Sequence, residues 1–252
     1  MYYYIADPPA STVDQKIISA IRTQLIPLGI AGEFVFRTPG GSAAKLTKHA
    51  LSEGFTTVVA IGDDLLASEI ASVMYDQPAA LGIIPIGASP SLTTTLGYSD
   101  WKQGISALRH RRLIMHDIGS LNGDFFFMTD LCVKATQKTD FYIHTDRFSV
   151  LAQTDYLDIR LSSSNEPFNI PGVIHLVIPK QKNAPIWIKP FLGKPYLNIE
   201  TLVRSETAVI QTESEAKIEY LGNTLMNTPV SISVIPQSVR LIITKNHQDK
   251  TD

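Results

Sequence analysis

Over the first hundred positions, unbroken apolar runs alternate with segments of helical period. Tyr2–Ala6 carries no polar interruption, as in a strand buried on both faces of a parallel sheet. Asp7-Pro8-Pro9-Ala10-Ser11 breaks the run, and Ser11 or Thr12 is placed to cap a helix whose face is Val13, Ile17, Ile21 and Leu25. Pro27 and Gly29 stop that helix. Glu33–Arg37 reads as a second strand. Thr38-Pro39-Gly40-Gly41-Ser42 then turns the chain into a helix from Ala43 to about Ser52, which Gly54 ends. Two more apolar runs, Thr56–Ile61 and Leu81–Ile86, flank a helix from Leu65 to Met74. Gly62-Asp63-Asp64 follows the first run, and Gly87-Ala88-Ser89-Pro90 follows the second. Strands alternating with helices in this way predict right-handed β-α-β units on a parallel sheet. Both turns then lie on its carboxyl edge, where open α/β sheets keep their ligand crevice. Amides at the helix starts make an anion the natural occupant there.

The pattern changes near Asp100. One further helix, with Trp101, Ile105 and Leu108 on a face, leads into Arg109-His110-Arg111-Arg112. After it, helical periodicity is scarce. Leu113–Ser120 and Asp124–Lys134 flank Leu121-Asn122-Gly123, a strong hairpin signal. Strand-like runs follow at Phe141–His144, Phe148–Gln153, Tyr156–Ser162, Gly172–Ile178, Ile186–Lys189, Ala208–Thr212, Ala216–Tyr220, Val230–Ile235 and Val239–Thr244. Such density points to an antiparallel sandwich or barrel. The fold class is therefore α/β plus all-β: a doubly wound parallel-sheet domain over 1–108, then a β-sandwich domain over 109–252, with a cleft between them. The tail from Lys245 to Asp252 is polar and expected to fray.

Composition narrows the function classes. The 252 residues suffice for one large domain or two modest ones, and 44% apolar with 18% charged is ordinary for a globular protein. A net charge of −2 without a Lys/Arg run gives no reason to invoke nucleic acid. Cys132 is the only cysteine, so no intramolecular disulfide forms, as suits a reducing compartment. No apolar run approaches the roughly 20 residues of a membrane span, and Met1-Tyr2-Tyr3-Tyr4 lacks the basic start of a signal peptide. A cytoplasmic location is the expectation. The six histidines show no metal-ligand spacing, so no metal site is assigned.

The order and spacing of these segments resemble the diacylglycerol kinase catalytic-domain family of bacterial lipid kinases and sphingosine kinases, more distantly related to NAD kinases. Asp7-Pro8-Pro9-Ala10-Ser11 stands where that family has Asn-Pro-x-Ser-Gly. Gly62-Asp63-Asp64-Leu65-Leu66-Ala67-Ser68-Glu69 lies on its Gly-Gly-Asp-Gly-Thr-x-Asn-Glu. Pro85-Ile86-Gly87-Ala88-Ser89-Pro90-Ser91-Leu92 through Leu96-Gly97 lies on its Pro-Leu-Gly-Thr-Gly-Asn-Asp-Phe through Leu-Gly. Asp117–Phe126 resembles its Asp-x-x-x-x-Asn-Gly-x-x-Phe hairpin, and Leu221-Gly222-Asn223 its Asp-Gly-Glu strand. The resemblance implies an ATP- and magnesium-dependent kinase of a lipid hydroxyl. It implies nucleotide binding by Asp7, Thr38, Gly62, Asp63, Gly87, Ala88 and Ser89. It also implies Asp64 as catalytic and Ser68 and Glu69 as substrate-binding. A nucleotide or lipid ligand in the interdomain cleft, peripheral membrane contact and a homodimer through a sheet edge are the partners it suggests.

The departures from that pattern carry equal weight. Two glycines of the first loop have become Asp63 and Leu65, and its threonine has become Leu66. Glycine lets phosphate approach the backbone, whereas a leucine is expected to block it or to strain the loop. Pro90 removes a backbone donor from the second turn. Leu221 and Asn223 replace the carboxylates of the strand that carries the base in the bacterial lipid kinases. Leucine cannot take a substrate proton, a step contributing roughly 10²–10⁴-fold where a base is positioned. Plainer readings stand beside the functional ones. Asp64 serves equally as a helix N-cap with Asp63 in the first-turn field, Glu69 as a solvated helix residue, and Asp117 as a hairpin aspartate. Three functions follow: an impaired lipid kinase, a pseudokinase acting as a regulatory or ligand-binding subunit, or a binding module for a ligand other than ATP.

Overall fold

The computed structural model describes residues 1–38, 40–161, 170–179 and 201–244. Strand β1 (Tyr2–Ala6) sits between two parallel neighbours, β2 (Gly32–Phe36) and β3 (Thr57–Gly62), and β3 pairs in parallel with β4 (Ala80–Pro85). The order β2-β1-β3-β4 makes the connection change direction between β1 and β3, which opens a crevice beyond their carboxyl ends. β3 and β4 are buried at every residue, which explains their unbroken apolar sequences. Helices α1 (Thr12–Leu25), α2 (Ala43–Ser52), α3 (Asp64–Met74), α4 (Pro90–Leu96) and α5 (Trp101–His110) complete this half. Ser11, Ser42, Asp63, Ser89 and Asp100 cap them, each accepting a first-turn amide on its side chain. Helix α4 is absent from the sequence reading, although Ser89, Pro90 at its first turn and left-handed Gly97 at its end are the ordinary punctuation.

The second half is strand-rich, as the periodicity predicts. It contains β5 (Arg112–Leu121), β6 (Phe125–Phe127), β7 (Leu131–Thr145), β8 (Ser149–Leu161), β9 (Ile174–Ile178), β10 (Thr201–Ser205), β11 (Thr207–Thr212), β12 (Ala216–Tyr220), β13 (Asn223–Asn227) and β14 (Val230–Ile243). The Asn122-Gly123 hairpin forms with both residues at positive φ, 51° and 78°. Several runs read as separate strands are single long ones. β7 and β8 stay paired across an irregularity between Lys134 and Thr139, and β14 bends between Ile235 and Val239 without ending. The polar residues Thr136–Thr139 and the Pro236-Gln237 pair break the side-chain pattern but not the strand. β10 and β13 are absent from the sequence reading. The expected strand Ile186–Lys189, the loop Ser162–Pro167 and the tail Lys245–Asp252 lie outside the described residues.

β14 joins the halves. It runs antiparallel to β5 and β11, and meets β4 in parallel at Arg240–Ala80 and Leu241–Leu81. Val239, Leu241, Ile242 and Ile243 therefore pack in the core of the first sheet, while Val230 and Ile232 pack in a second core with Phe141, Leu157 and Tyr220. One continuous hydrogen-bonded sheet carries both cores.

Candidate functional site

The crevice at the β1/β3 switch holds a cavity of about 290 Å³. Asp7, Gly62, Asp63 and Gly87 line it together with Asp14 and apolar walls that include Ile61 and Ile86. Four of the residues chosen from sequence thus meet in one place. Gly87 sits at φ 73°, a conformation that leads the chain from β4 into the α4 cap. Gly62 has no positive φ. Its constraint is space, since a methyl there would lie 2.9 Å from Leu66 Cδ2 and 3.3 Å from Asp7 Oδ2.

Beside the crevice, Arg37 at the end of β2 donates to two carboxylates. Its Nε and Nη2 reach Asp7 Oδ1, both at 2.7 Å, and its Nη1 reaches Glu69 Oε2 at 3.0 Å. The other oxygen of Glu69 accepts from Ser42 Oγ at 2.9 Å and from the Ala44 amide at 3.2 Å. Glu69 thereby occupies the N-terminus of α2 and is not a solvated helix residue. Burial pushes the Asp7 carboxyl above the usual carboxylate range, and Asp63 and Glu69 add to that; Arg37 opposes it. Thr38 is exposed, and its carbonyl accepts from the Gly41 amide at 2.7 Å.

Asp64 lies elsewhere, sealed between the halves with 0% exposure. The helix cap is its neighbour Asp63, whose Oδ1 accepts from the amides of Leu65 and Leu66 at 3.0 and 3.1 Å. Asp64 Oδ1 accepts from the Ser89 amide at 2.7 Å. Its Oδ2 accepts from Ser89 Oγ at 2.5 Å and from Thr129 Oγ1 at 2.8 Å. Tyr220 of β12 completes the seam: its hydroxyl lies 2.9 Å from both Ser68 Oγ and Thr129 Oγ1, and 3.2 Å from the Asp64 carbonyl. The Met128 amide donates to Ser68 Oγ at 3.2 Å. Burial raises the Tyr220 hydroxyl well above its ordinary range, so it stays protonated and can donate. Ser68 therefore holds the halves together instead of facing the crevice. Ala88 packs against the first core.

The match to known proteins follows the same architecture. The family model for the diacylglycerol kinase catalytic domain matches residues 3–121. That stretch belongs to the diacylglycerol kinase catalytic-domain family. The fold extends over nearly the whole chain. A protein from Bacillus anthracis str. Sterne described as a candidate diacylglycerol kinase superposes with a TM-score of 0.77 at 16% identity, covering 97% of each chain. Another from the same organism, described as a diacylglycerol kinase, gives 0.74 at 17% identity, again covering 97% of each. No curated protein matches the sequence.

Within this diacylglycerol kinase scaffold the altered loop residues are accommodated differently from the expectation. Leu66 is 0% exposed and points into the core, so it does not obstruct the crevice. Asp63 has φ −94°, and Leu65 lies within α3 without a positive φ, so neither replacement strains the backbone. Pro90 occupies the first turn of α4, where its missing donor has no intrahelical partner to lose. Several of the loop amides are already engaged. The amides of Leu65 and Leu66 are taken by Asp63, that of Ser89 by Asp64 and that of Leu92 by Ser89 Oγ. The crevice lining named above carries three carboxylates and no Lys or Arg. A phosphate chain placed in this lining would meet those three carboxylates.

The remaining candidates are structural. Asp117 is buried, and its oxygens accept from the Gly172 amide at 2.6 Å and the Gln237 amide at 2.7 Å, fixing the bend in β14. At the positions of the family's carboxylate strand, Leu221 lies in the β12–β13 turn at φ 51° and 38% exposed, and Asn223 opens β13. Burial pushes the half-buried Cys132 thiol up, away from reactivity. Among the described residues, no group of three or more His, Cys, Asp or Glu side chains is arranged to hold a metal, and no helix is long and apolar enough to cross a membrane. Arg37, Thr129 and Tyr220 were missed by the sequence reading. Only Tyr220 had a visible signal, its place directly before Leu221-Gly222-Asn223.

Proposed function

We propose that this chain is a pseudokinase of the diacylglycerol kinase family: a ligand-binding or regulatory protein that keeps the lipid kinase scaffold and has lost phosphoryl transfer. The enclosure of Asp64 carries this reading. Its oxygens accept three hydrogen bonds in a fully buried seam, so the carboxylate has no open face for a substrate hydroxyl or a cation. The absence of carboxylates at Leu221 and Asn223 supports the same conclusion, and the neighbouring carboxylate of β12, Glu219, is paired with Lys134. ATP and magnesium have no step in this reading. The crevice suits a small ligand without a phosphate chain, held by its carboxylates and apolar walls. A cytoplasmic setting belongs to the proposal, resting on the lone, half-buried cysteine.

Two measurements test it. Calorimetric titration with Mg-ATP should show no saturable heat, and labelled ATP with diacylglycerol in mixed micelles should give no transfer above the protein-free control. Transfer that disappears in a folded Asp64→Asn variant would overturn the pseudokinase assignment.

A further inference from the structure

Helix α5 packs on β4 and β14, and its Leu108 meets Ile242 of β14 over Gly82. The cover stops there. On the next strand, Leu113 and Met115 of β5 stand 43% and 48% exposed. Residues paired across antiparallel strands share a face, so Leu113, opposite Ile242, and Met115, opposite Arg240, extend the face that α5 covers. The backbone of this stretch is open as well. β14 takes one side of Arg112–His116, and β6 joins the other side only from Gly119; no other described strand pairs there. Two exposed cations accompany the apolar pair: Arg109 in the last turn of α5, and Arg240 beside Met115. Arg240 donates to the Pro78 carbonyl at 3.1 Å, and among the described residues neither cation belongs to an ion pair. Neither α5 nor Val239–Ile243 contains an Asp or Glu.

We propose that β5 accepts an extended acidic segment of a partner protein as an added strand, with apolar partner side chains on Leu113 and Met115 and carboxylates at Arg109 and Arg240. The open backbone and the charge together select this occupant. A strand edge offers N–H and C=O groups that another strand satisfies, and side chains two residues apart then meet across the pair. A lipid surface would leave those backbone groups unpaired at an apolar boundary, so it is the poorer occupant. A second copy of the chain is poorer too, because pairing edge to edge through β5 would bring Arg109 and Arg240 against their equivalents. Carboxylates on the incoming strand turn the same charges into attraction. The other exposed apolar pair, Tyr142 and Leu151, has Asp140, Asp146 and Arg147 nearby in the chain and so no single sign of charge. This inference does not depend on the fate of catalysis at Asp64.

Fluorescence anisotropy of the labelled peptide Glu-Thr-Val-Thr-Val-Thr-Glu-Thr, titrated with the full chain, tests it. The valines are spaced by two, like Leu113 and Met115, and the glutamates flank them on the same face of the strand. The peptide should bind saturably, and more weakly in high salt. A version with Lys in place of Glu should not bind, nor should one N-methylated at its central amides, which cannot pair as a strand. Arg109→Glu should weaken binding roughly fivefold, as for an exposed ion pair. Leu113→Ser/Met115→Ser should weaken it roughly tenfold, as for two cross-strand pairs. Leu151→Ser should leave it unchanged. All these side chains are exposed, so an unchanged melting temperature checks that the variants fold. The absence of saturable binding, equal binding of the N-methylated peptide, or full binding by the folded double variant would overturn the proposal. So would co-sedimentation with phosphatidylcholine–phosphatidylglycerol vesicles, or a concentration-dependent dimer in sedimentation velocity, that the double variant abolishes.

Discussion

Asp7 and Asp64 lie within two residues of the ends of neighbouring parallel strands, yet they inhabit opposite environments. Asp7 is half-exposed in an open crevice and is held by the Arg37 guanidinium. Asp64 has no solvent contact and is held by two hydroxyls and one amide, all uncharged. The first pair is adjustable and screened by water. The second is a fixed network in which every member depends on the others. A carboxylate at a strand end is thus no indication of chemistry by itself; the donors around it decide whether it is available or consumed. The crevice is the adjustable region of this molecule, and the seam is the region that sets its geometry.

Breaking the seam should produce the largest effect. Asp64→Ala leaves the Ser89 amide and the hydroxyls of Ser89 and Thr129 without an acceptor, and should cost roughly 3 kcal/mol or more in urea denaturation. A loss below about 1 kcal/mol would remove the distinction between the two aspartates. Restoring the family residue with Leu66→Thr should cost about 2–4 kcal/mol, because it empties a buried apolar position and adds a hydroxyl. It should not create nucleotide binding, and calorimetry with Mg-ATP checks that. Tyr220→Phe keeps the ring and its edge contact with Phe125 but removes the bridging hydroxyl. About 1–2 kcal/mol is expected, and a double-mutant cycle with Thr129→Val should show the two changes to be non-additive.

The crevice should respond least. Arg37→Ala removes ion pairs whose side chains are 25–30% exposed, and should cost no more than about 1 kcal/mol. Its clearer signature is titration. Burial holds the folded Asp7 pKa above its ordinary value of 3.8, so the folded state retains this proton longer than the unfolded chain. Its stabilising contribution is complete below that value and is lost as pH rises through the folded pKa. Arg37 lowers the Asp7 pKa, so Arg37→Ala should move it further upward and shift the loss to higher pH. Carbon-detected NMR titration of the Asp7 carboxyl measures this directly, and a downward shift would contradict the assigned pairing.

Some of these relations were readable from residues alone. Strands β1, β3 and β4, the turns at Gly62 and Gly87, and the Asn122-Gly123 hairpin follow from local apolar runs and punctuation. The family resemblance rested on the order of those same segments. Long strands were harder: the polar stretch Thr136–Thr139 and the Pro236-Gln237 bend look like ends, because backbone pairing is invisible in side-chain periodicity. α4 was hidden by its threonines, which are weak helix formers, although its cap and terminal glycine were present.

For the candidate site, the sequence by itself determined which carboxylates and glycines stand at the strand ends, since a turn of given length after a buried strand leaves little choice of place. Tertiary structure decided what each of them touches. Arg37 reaches Glu69 across 32 positions, and Tyr220 reaches Ser68 across 152, distances over which no local pattern carries information. Contacts made in space likewise decide that Asp64 is enclosed and that the amides of Leu65, Leu66 and Ser89 are already engaged, because hydrogen-bonding capacity is consumed in space and not along the chain.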